Sequence, residues 1–186
     1  HWSLEEASSD ARTDLQPVRT AARWEAEVQD ALKAAVRRQL ISDVPVGAFL
    51  SGGIDSSLIV ALMSQVASGP VRTFTIALPG DWNEAPRAEA MAKHLGTSHT
   101  TIPISEEDCL DVIPKLPQVY SEPFGDSSQV PTLLVAQAAR RDVTVVLSGD
   151  GGDELFGGYN RHVAGRRLWH RLEGLNPVLR RMGGGL

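Results

Sequence analysis

Val46-Gly-Ala-Phe-Leu50, running straight into Ser51-Gly-Gly-Ile-Asp55-Ser-Ser57, is the stretch that decides the fold of this chain. Behind Pro45 the five apolar residues suit a short buried strand. Residues 56–68 hold no helix breaker and stop at Gly69-Pro70, so they read as a helix. A strand that turns through glycine into a helix presents free backbone N–H groups, and a helix N-terminus, to an anion. Gly52 and Gly53 let phosphate oxygens approach without a Cβ in the way, and Ser51, Ser56 and Ser57 add hydroxyl donors. Gly-Gly alone is ordinarily a tight turn that binds nothing. The full seven-residue string points to a phosphate loop.

Asp55 narrows the ligand. A carboxylate beside a polyphosphate is repelled by about 4 kcal/mol per unit charge at close range and an effective dielectric near 20. Its presence makes sense only with a cation in between, and Mg²⁺ with mixed carboxylate and phosphate oxygens is the natural one. The bland alternative is a first-turn helix acid stabilised by the macrodipole. The loop also lacks the Gly-Lys-Ser/Thr ending of a Walker A motif. Lys33, Lys93 and Lys115 are the only lysines, and all lie away from it.

Outward from this point, strands alternate with helices. Trp24, Val28, Leu32, Val36 and Leu40 recur every four residues and mark an amphipathic helix ending near Ser42-Asp43. Strands are expected at 71–78 and at 99–104, with a helix at 83–95 between them, closed by Gly96. Ser105 opens a further helix in a capping-box pattern with Asp108, and Pro114 and Pro117 should divide it. A helix over 130–141 then leads to a β-branched strand, Val143–Leu147, and helices resume after Tyr159. This order predicts an α/β fold, a parallel sheet with helices on both faces. At the end of the last strand Ser148-Gly-Asp-Gly-Gly-Asp-Glu154 gathers glycines and acids where backbone can approach a ligand and a cation can be shared. A solvated acidic loop is the ordinary alternative there.

The bulk properties agree. At 186 residues, 42% hydrophobic and 22% charged, the chain suits one domain with a substantial core. A net charge of −5 argues against a nucleic-acid binder. No apolar run approaches the ~20 residues a bilayer requires, so no membrane partner is expected. The lone Cys109 excludes an internal disulfide and fits a reducing, cytoplasmic setting. Residues 1–20 read as a polar linker, and both ends read as cuts in a longer chain.

The SGGxDSS loop after a strand resembles that of the ATP pyrophosphatases (PP-loop, adenine nucleotide alpha hydrolase-like fold). Ser148–Tyr159, Glu122–Ser128 and Leu95–His99 resemble motifs of the asparagine synthetase group within it, the glutamine-hydrolysing type, over roughly residues 24–161. On that resemblance residues 21–186 are the N-terminal part of a synthetase domain, and 1–20 the linker from a glutaminase domain. Ser51, Gly52, Gly53, Asp55 and Ser56 would hold the pyrophosphate part of ATP. Leu50, Ile76 and Gly149 would meet the adenosine, and Asp55 and Asp153 would share Mg²⁺. Ser148, Asp150 and Glu154 would line the reacting centre, with Asp150 and Glu154 catalytic and Asp126 an outlying neighbour. The implied reaction amidates aspartate through β-aspartyl-AMP, using ammonia from glutamine and releasing AMP and pyrophosphate. Two rivals stay open: a sister enzyme that adenylates another carboxylate, including β-lactam-forming synthetases, and a nucleotide-binding module without turnover. A homodimer of the full-length protein also stays open. His99, Phe156 and Tyr159 read as structural residues. The family's downstream pyrophosphate-binding lysine has no counterpart here, so the isolated chain is expected to be inactive.

Overall fold

The computed structural model describes residues 20–80, 83–122 and 125–173, with side chains described to residue 170. The linker expected at 1–20 lies outside these residues except for Thr20, as do Pro123 and Phe124 of the middle motif. Helix α1 spans Ala21–Gln39, strand β1 Val46–Phe49, helix α2 Ile54–Val66 and strand β2 Arg72–Ala77. Helix α3 spans Ala85–Leu95, strand β3 Ser98–Pro103 and helix α4 Glu106–Val112. A 3₁₀ turn at Ile113–Lys115 and the one-turn helix α5, Leu116–Val119, follow. Then come helix α6 at Gln129–Ala139, strand β4 at Val145–Leu147, and helices α7 at Gly152–Phe156 and α8 at Asn160–Glu173.

All four strands are parallel, in the order β3-β2-β1-β4. Strand β1 is therefore paired on both sides, with Ala48 opposite Thr73 of β2 and Leu147 of β4. Its side chains alternate between two cores, as the pleat requires. Ala48 and the adjoining Leu50 pack with Val36 of α1, Val60 and Met63 of α2, and Ala88 and Ala92 of α3. On the opposite face Phe49 joins Phe74, Ala139 and Val143, under α6. The sheet is thus covered on both faces, as the alternation of elements predicts.

Gly47 sits where that second core leaves no room. A Cβ there would lie 2.9 Å from the Arg72 carbonyl oxygen, 3.0 Å from Phe74 Cε2 and 3.3 Å from Val143 Cγ1. The carbonyl belongs to the neighbouring strand and cannot turn away. Gly47→Ala should accordingly destabilise the fold by about 2 kcal/mol through overpacking. A urea titration checks this, and a midpoint equal to wild type would contradict it.

Local signals account for the remaining boundaries. Ser105 Oγ accepts from Asp108 N at 3.1 Å, and Asp108 Oδ2 accepts from Ser105 N at 2.8 Å, completing the capping box. The Ser105 hydroxyl, donating to Asp108 Oδ2 at 2.6 Å, and then the Ser105 N–H hold the Asp108 carboxyl below its usual range. Pro114 and Pro117 divide the following helix as expected, producing the 3₁₀ turn and α5. Strand β4 begins two residues later than its β-branched run suggests, because Val143 N donates to Ala139 O and closes α6. The α1 stripe is buried most deeply toward its C-terminal half: Val36 is 4% exposed, whereas Trp24 is 53% exposed. Among the described residues, no helix is long and apolar enough to cross a membrane.

Candidate nucleotide-binding site

The sheet order dictates where a ligand can lie. The chain leaves β1 for β2 on one side and later returns to β4 on the other, so the loops after β1 and β4 diverge at their carboxyl ends. Crevices at such reversals are the usual ligand sites of open parallel sheets. A cavity of about 1070 Å³ opens there, and every expected site residue except Gly52 and Ser57 contributes to its lining. A smaller cleft of about 300 Å³, near Pro70 and Gly96, has no ionisable lining side chain.

The β1 loop is held by its own serines. Ser56 Oγ accepts from Ser51 N at 3.2 Å and lies 3.0 Å from Ser51 Oγ. Ser51 Oγ in turn accepts from Gly53 N at 3.2 Å. The N–H groups of Ser51 and Gly53 are used in folding the turn. Ser56, only 8% exposed, shapes the loop from within. The amides left for an anion are those of the first turn of α2, which begins at Ile54 with no side-chain cap. Gly52 adopts φ +77°, and a Cβ on it would strike Arg87 Cβ at 2.7 Å and Ala88 N at 2.8 Å. The β1 loop therefore rests directly on the start of α3.

The β4 loop packs onto this one through glycine. A Cβ at Gly149 would lie 2.6 Å from Ser56 N, and one at Gly152 2.6 Å from Asp55 Cγ and Oδ2. Asp55 is thus enclosed by the loop that carries Asp153. Across the turn, Asp153 Oδ1 occupies the place a Cβ on Gly158 would take. Ser148 Oγ donates to Asp150 Oδ2 at 3.0 Å, orienting that carboxylate in the same loop. Among the described residues, no three His, Cys, Asp or Glu side chains form a metal-binding group. Mg²⁺ carried on phosphates needs only one or two protein carboxylates, so the oxygen donors of Asp55 and Asp153 suit it.

Other expected residues take less central places. Leu50 is 1% exposed, its N–H donates to Phe74 O at 2.9 Å, and it lines the cavity at the strand end. Ile76 lines the wall at the end of β2. Asp126 Oδ1 accepts from Ser128 N at 2.8 Å, which holds its carboxyl below the usual range. His99 Nδ1 lies 2.8 Å from Thr73 Oγ1 between β3 and β2, the structural place expected of it, and burial pushes its pKa down. Phe156 and Tyr159 are corrected from packing residues to cavity lining: Phe156 is 60% exposed, and the Tyr159 hydroxyl donates to Glu154 Oε1. Glu84 and Thr132 also line the cavity and carry no sequence pattern that marks them. Thr132 falls just after the Glu122–Ser128 motif, the one signal that could have led to it.

A glycine–serine loop at the reversal point of a parallel sheet, closed by an acidic glycine loop, defines a nucleotide-binding synthetase domain of PP-loop type. The asparagine synthase family model matches residues 27–185, and the chain belongs to that family. It is 42% identical to a putative glutamine-hydrolyzing asparagine synthetase 2 of Methanocaldococcus jannaschii, over 83% of this chain and 30% of that protein. Identity to asparagine synthetase 1 of Bacillus subtilis is 38%, over 80% of this chain and 24% of that protein. The chain thus spans less than a third of the length of these relatives. In fold it resembles NMN synthetase from Francisella tularensis (TM-score 0.51, 17% identity, 72% of this chain and 58% of that one). It also resembles a glutamine-dependent NAD⁺ synthetase from Acinetobacter baumannii solved with ADP (TM-score 0.50, 21% identity, 79% of this chain and 29% of that one).

Proposed function

We propose that these residues form the ATP-binding and adenylating face of an asparagine synthetase. The observation that carries this reading is the packing of Gly149 and Gly152 onto Ser56 and Asp55, which joins the two motifs into one wall. Ser51, Gly52, Gly53, Asp55 and Ser56 would grip the pyrophosphate portion of ATP, chiefly through the first-turn amides of α2. Leu50, Ile76 and Gly149 would border the adenosine at the strand ends. Mg²⁺ held by Asp55 and Asp153 would neutralise charge on the departing pyrophosphate. Ser148, Asp150 and Glu154 would face the acceptor, with Asp126 further out.

In this reading the aspartate β-carboxylate attacks the α-phosphorus, the α–β phosphoanhydride bond breaks, and pyrophosphate leaves. Ammonia, supplied from glutamine by a glutaminase domain, then attacks the acyl carbon. AMP departs with the former carboxylate oxygen, and a proton from the nitrogen is released. Loop amides already aimed at the anion stabilise the transition state without reorganising. Holding adenylate and amine together supplies much of the rest. The reaction belongs to a cytoplasmic ligase acting on small molecules.

The nucleotide products decide the matter. Full-length synthetase carrying this domain, given aspartate, ammonia and Mg-ATP, should yield AMP and pyrophosphate in equal amounts by chromatography. ADP as the main nucleotide product would remove the reading. Pyrophosphate release that depends on a carboxylate other than aspartate would instead change the acceptor.

A further inference from the structure

Among the described residues, the charged groups that line the large cavity all have one sign. Asp55, Glu84, Asp126, Asp150, Asp153 and Glu154 contribute to it, and no lysine, arginine or histidine joins them. A polyphosphate entering this cavity meets repulsion that backbone amides and a metal ion must offset.

A free cation stands against the β1 loop from outside. A Cβ at Gly52 would lie 2.7 Å from Arg87 Cβ and 2.8 Å from Arg87 C, so the root of the Arg87 side chain is fixed against that loop. Arg87 N donates to Glu84 O at 3.0 Å, which sets Arg87 one turn along α3 from a residue of the cavity wall. Helical side chains lean toward the N-terminus, so Arg87 extends toward the end of α3 that Glu84 occupies. Arg87 is exposed, and among the described residues its guanidinium has no hydrogen bond or ion pair. Two other arginines are already engaged: Arg72 donates to Asp142 O at 2.6 Å, and Arg161 lies 4.0 Å from the Tyr159 ring centroid beside the cavity.

We propose that Arg87 is a phosphate-binding residue of this site, its guanidinium reaching over the β1 loop to the β- and γ-phosphates of ATP. This rests on the ATP-binding reading above and adds to it a cation that the chain itself carries. A guanidinium presents a planar fork of N–H donors that pairs two phosphate oxygens at once. In that reading the outer phosphates lie over the loop and the adenosine does not. Arg87 should therefore respond to the length of the phosphate chain and be indifferent to the nucleoside.

Calorimetry on the 186-residue chain, with Mg-ATP, Mg-pyrophosphate and AMP as separate titrants, tests it. Arg87→Met keeps the Cβ against Gly52 and an unbranched stem while removing the charge. Its thermal midpoint should match wild type, because the side chain is exposed. It should weaken Mg-ATP and Mg-pyrophosphate about tenfold, the scale of a lost charge-assisted hydrogen bond, and leave AMP unchanged. Arg87→Lys, a point charge without the fork, should recover part of the loss. The salt dependence of Mg-pyrophosphate binding should become shallower in Arg87→Met. Unchanged Mg-pyrophosphate affinity, or an equal loss for AMP, would overturn the role. A wild-type chain that binds Mg-pyrophosphate through Arg87, and neither ATP nor AMP, would defeat the ATP reading while leaving the arginine site standing. A wild-type chain that binds none of the three would defeat both.

Discussion

Asp55→Asn should abolish the advantage that Mg²⁺ gives to ATP binding, lowering affinity for Mg-ATP about a hundredfold while raising affinity for metal-free ATP. The asparagine is nearly the same shape, so the loop that encloses position 55 can still close over it. What is lost is the charge. Without a metal, the Asp55 carboxylate opposes a polyphosphate; with one, it would be an oxygen ligand to a hard cation that also takes phosphate oxygens. The substitution removes the penalty and the benefit together, so the two conditions should converge. Calorimetry on this chain, with and without Mg²⁺, measures all four affinities. Equal affinity of wild type for ATP in both conditions would exclude the metal bridge.

Gly149→Ala should be the most damaging single change at the site. Its new Cβ would meet Ser56 N at 2.6 Å and Asp55 C and Cβ at 2.9 Å. Most of these atoms are helix backbone, so relief requires the β4 loop and the start of α2 to separate. The expected cost is about 1–3 kcal/mol of stability. ATP affinity should fall more than a hundredfold, because the amides that face the anion belong to the displaced turn. Gly165→Ala, at a helix position where a Cβ meets nothing within 4 Å, is the control and should be neutral or slightly stabilising. Thermal denaturation and ATP titration of both variants provide the measurement. A Gly149→Ala protein that binds ATP like wild type would show that the two loops do not act as one wall.

Much of this arrangement was legible because it depends on local chemistry. The run from Val46 through Ser57 encodes strand, turn and helix in one stretch, and the Ser105–Asp108 capping box and Pro114 act within a few residues of themselves. The resemblance carried by Ser148–Tyr159 placed the second loop at the same site. What escaped the sequence depends on partners distant in the chain. The need for glycine at 47 is set by the Arg72 carbonyl, Phe74 and Val143, which arrive from β2 and the approach to β4. The internal use of the Ser51 and Gly53 amides depends on how tightly the turn closes around the Ser56 hydroxyl. Tyr159 looked like packing because an aromatic ring after a glycine pair gives no hint that Arg161 and His162 will hold it beside a carboxylate.

The pairing of β1 with β4 bears on the order of assembly. Strands β2 and β3 and their helices are all made between the phosphate loop and the acidic loop that faces it. The β1 loop therefore leaves the ribosome long before its counterpart exists. Joining them closes the longest loop in the sheet through a ladder only three residues long, an entropic cost met late in folding. A ligand spanning both loops binds only the joined form and draws the equilibrium toward it. On the proposed function, nucleotide would then serve the chain as a folding clamp before it serves as a substrate.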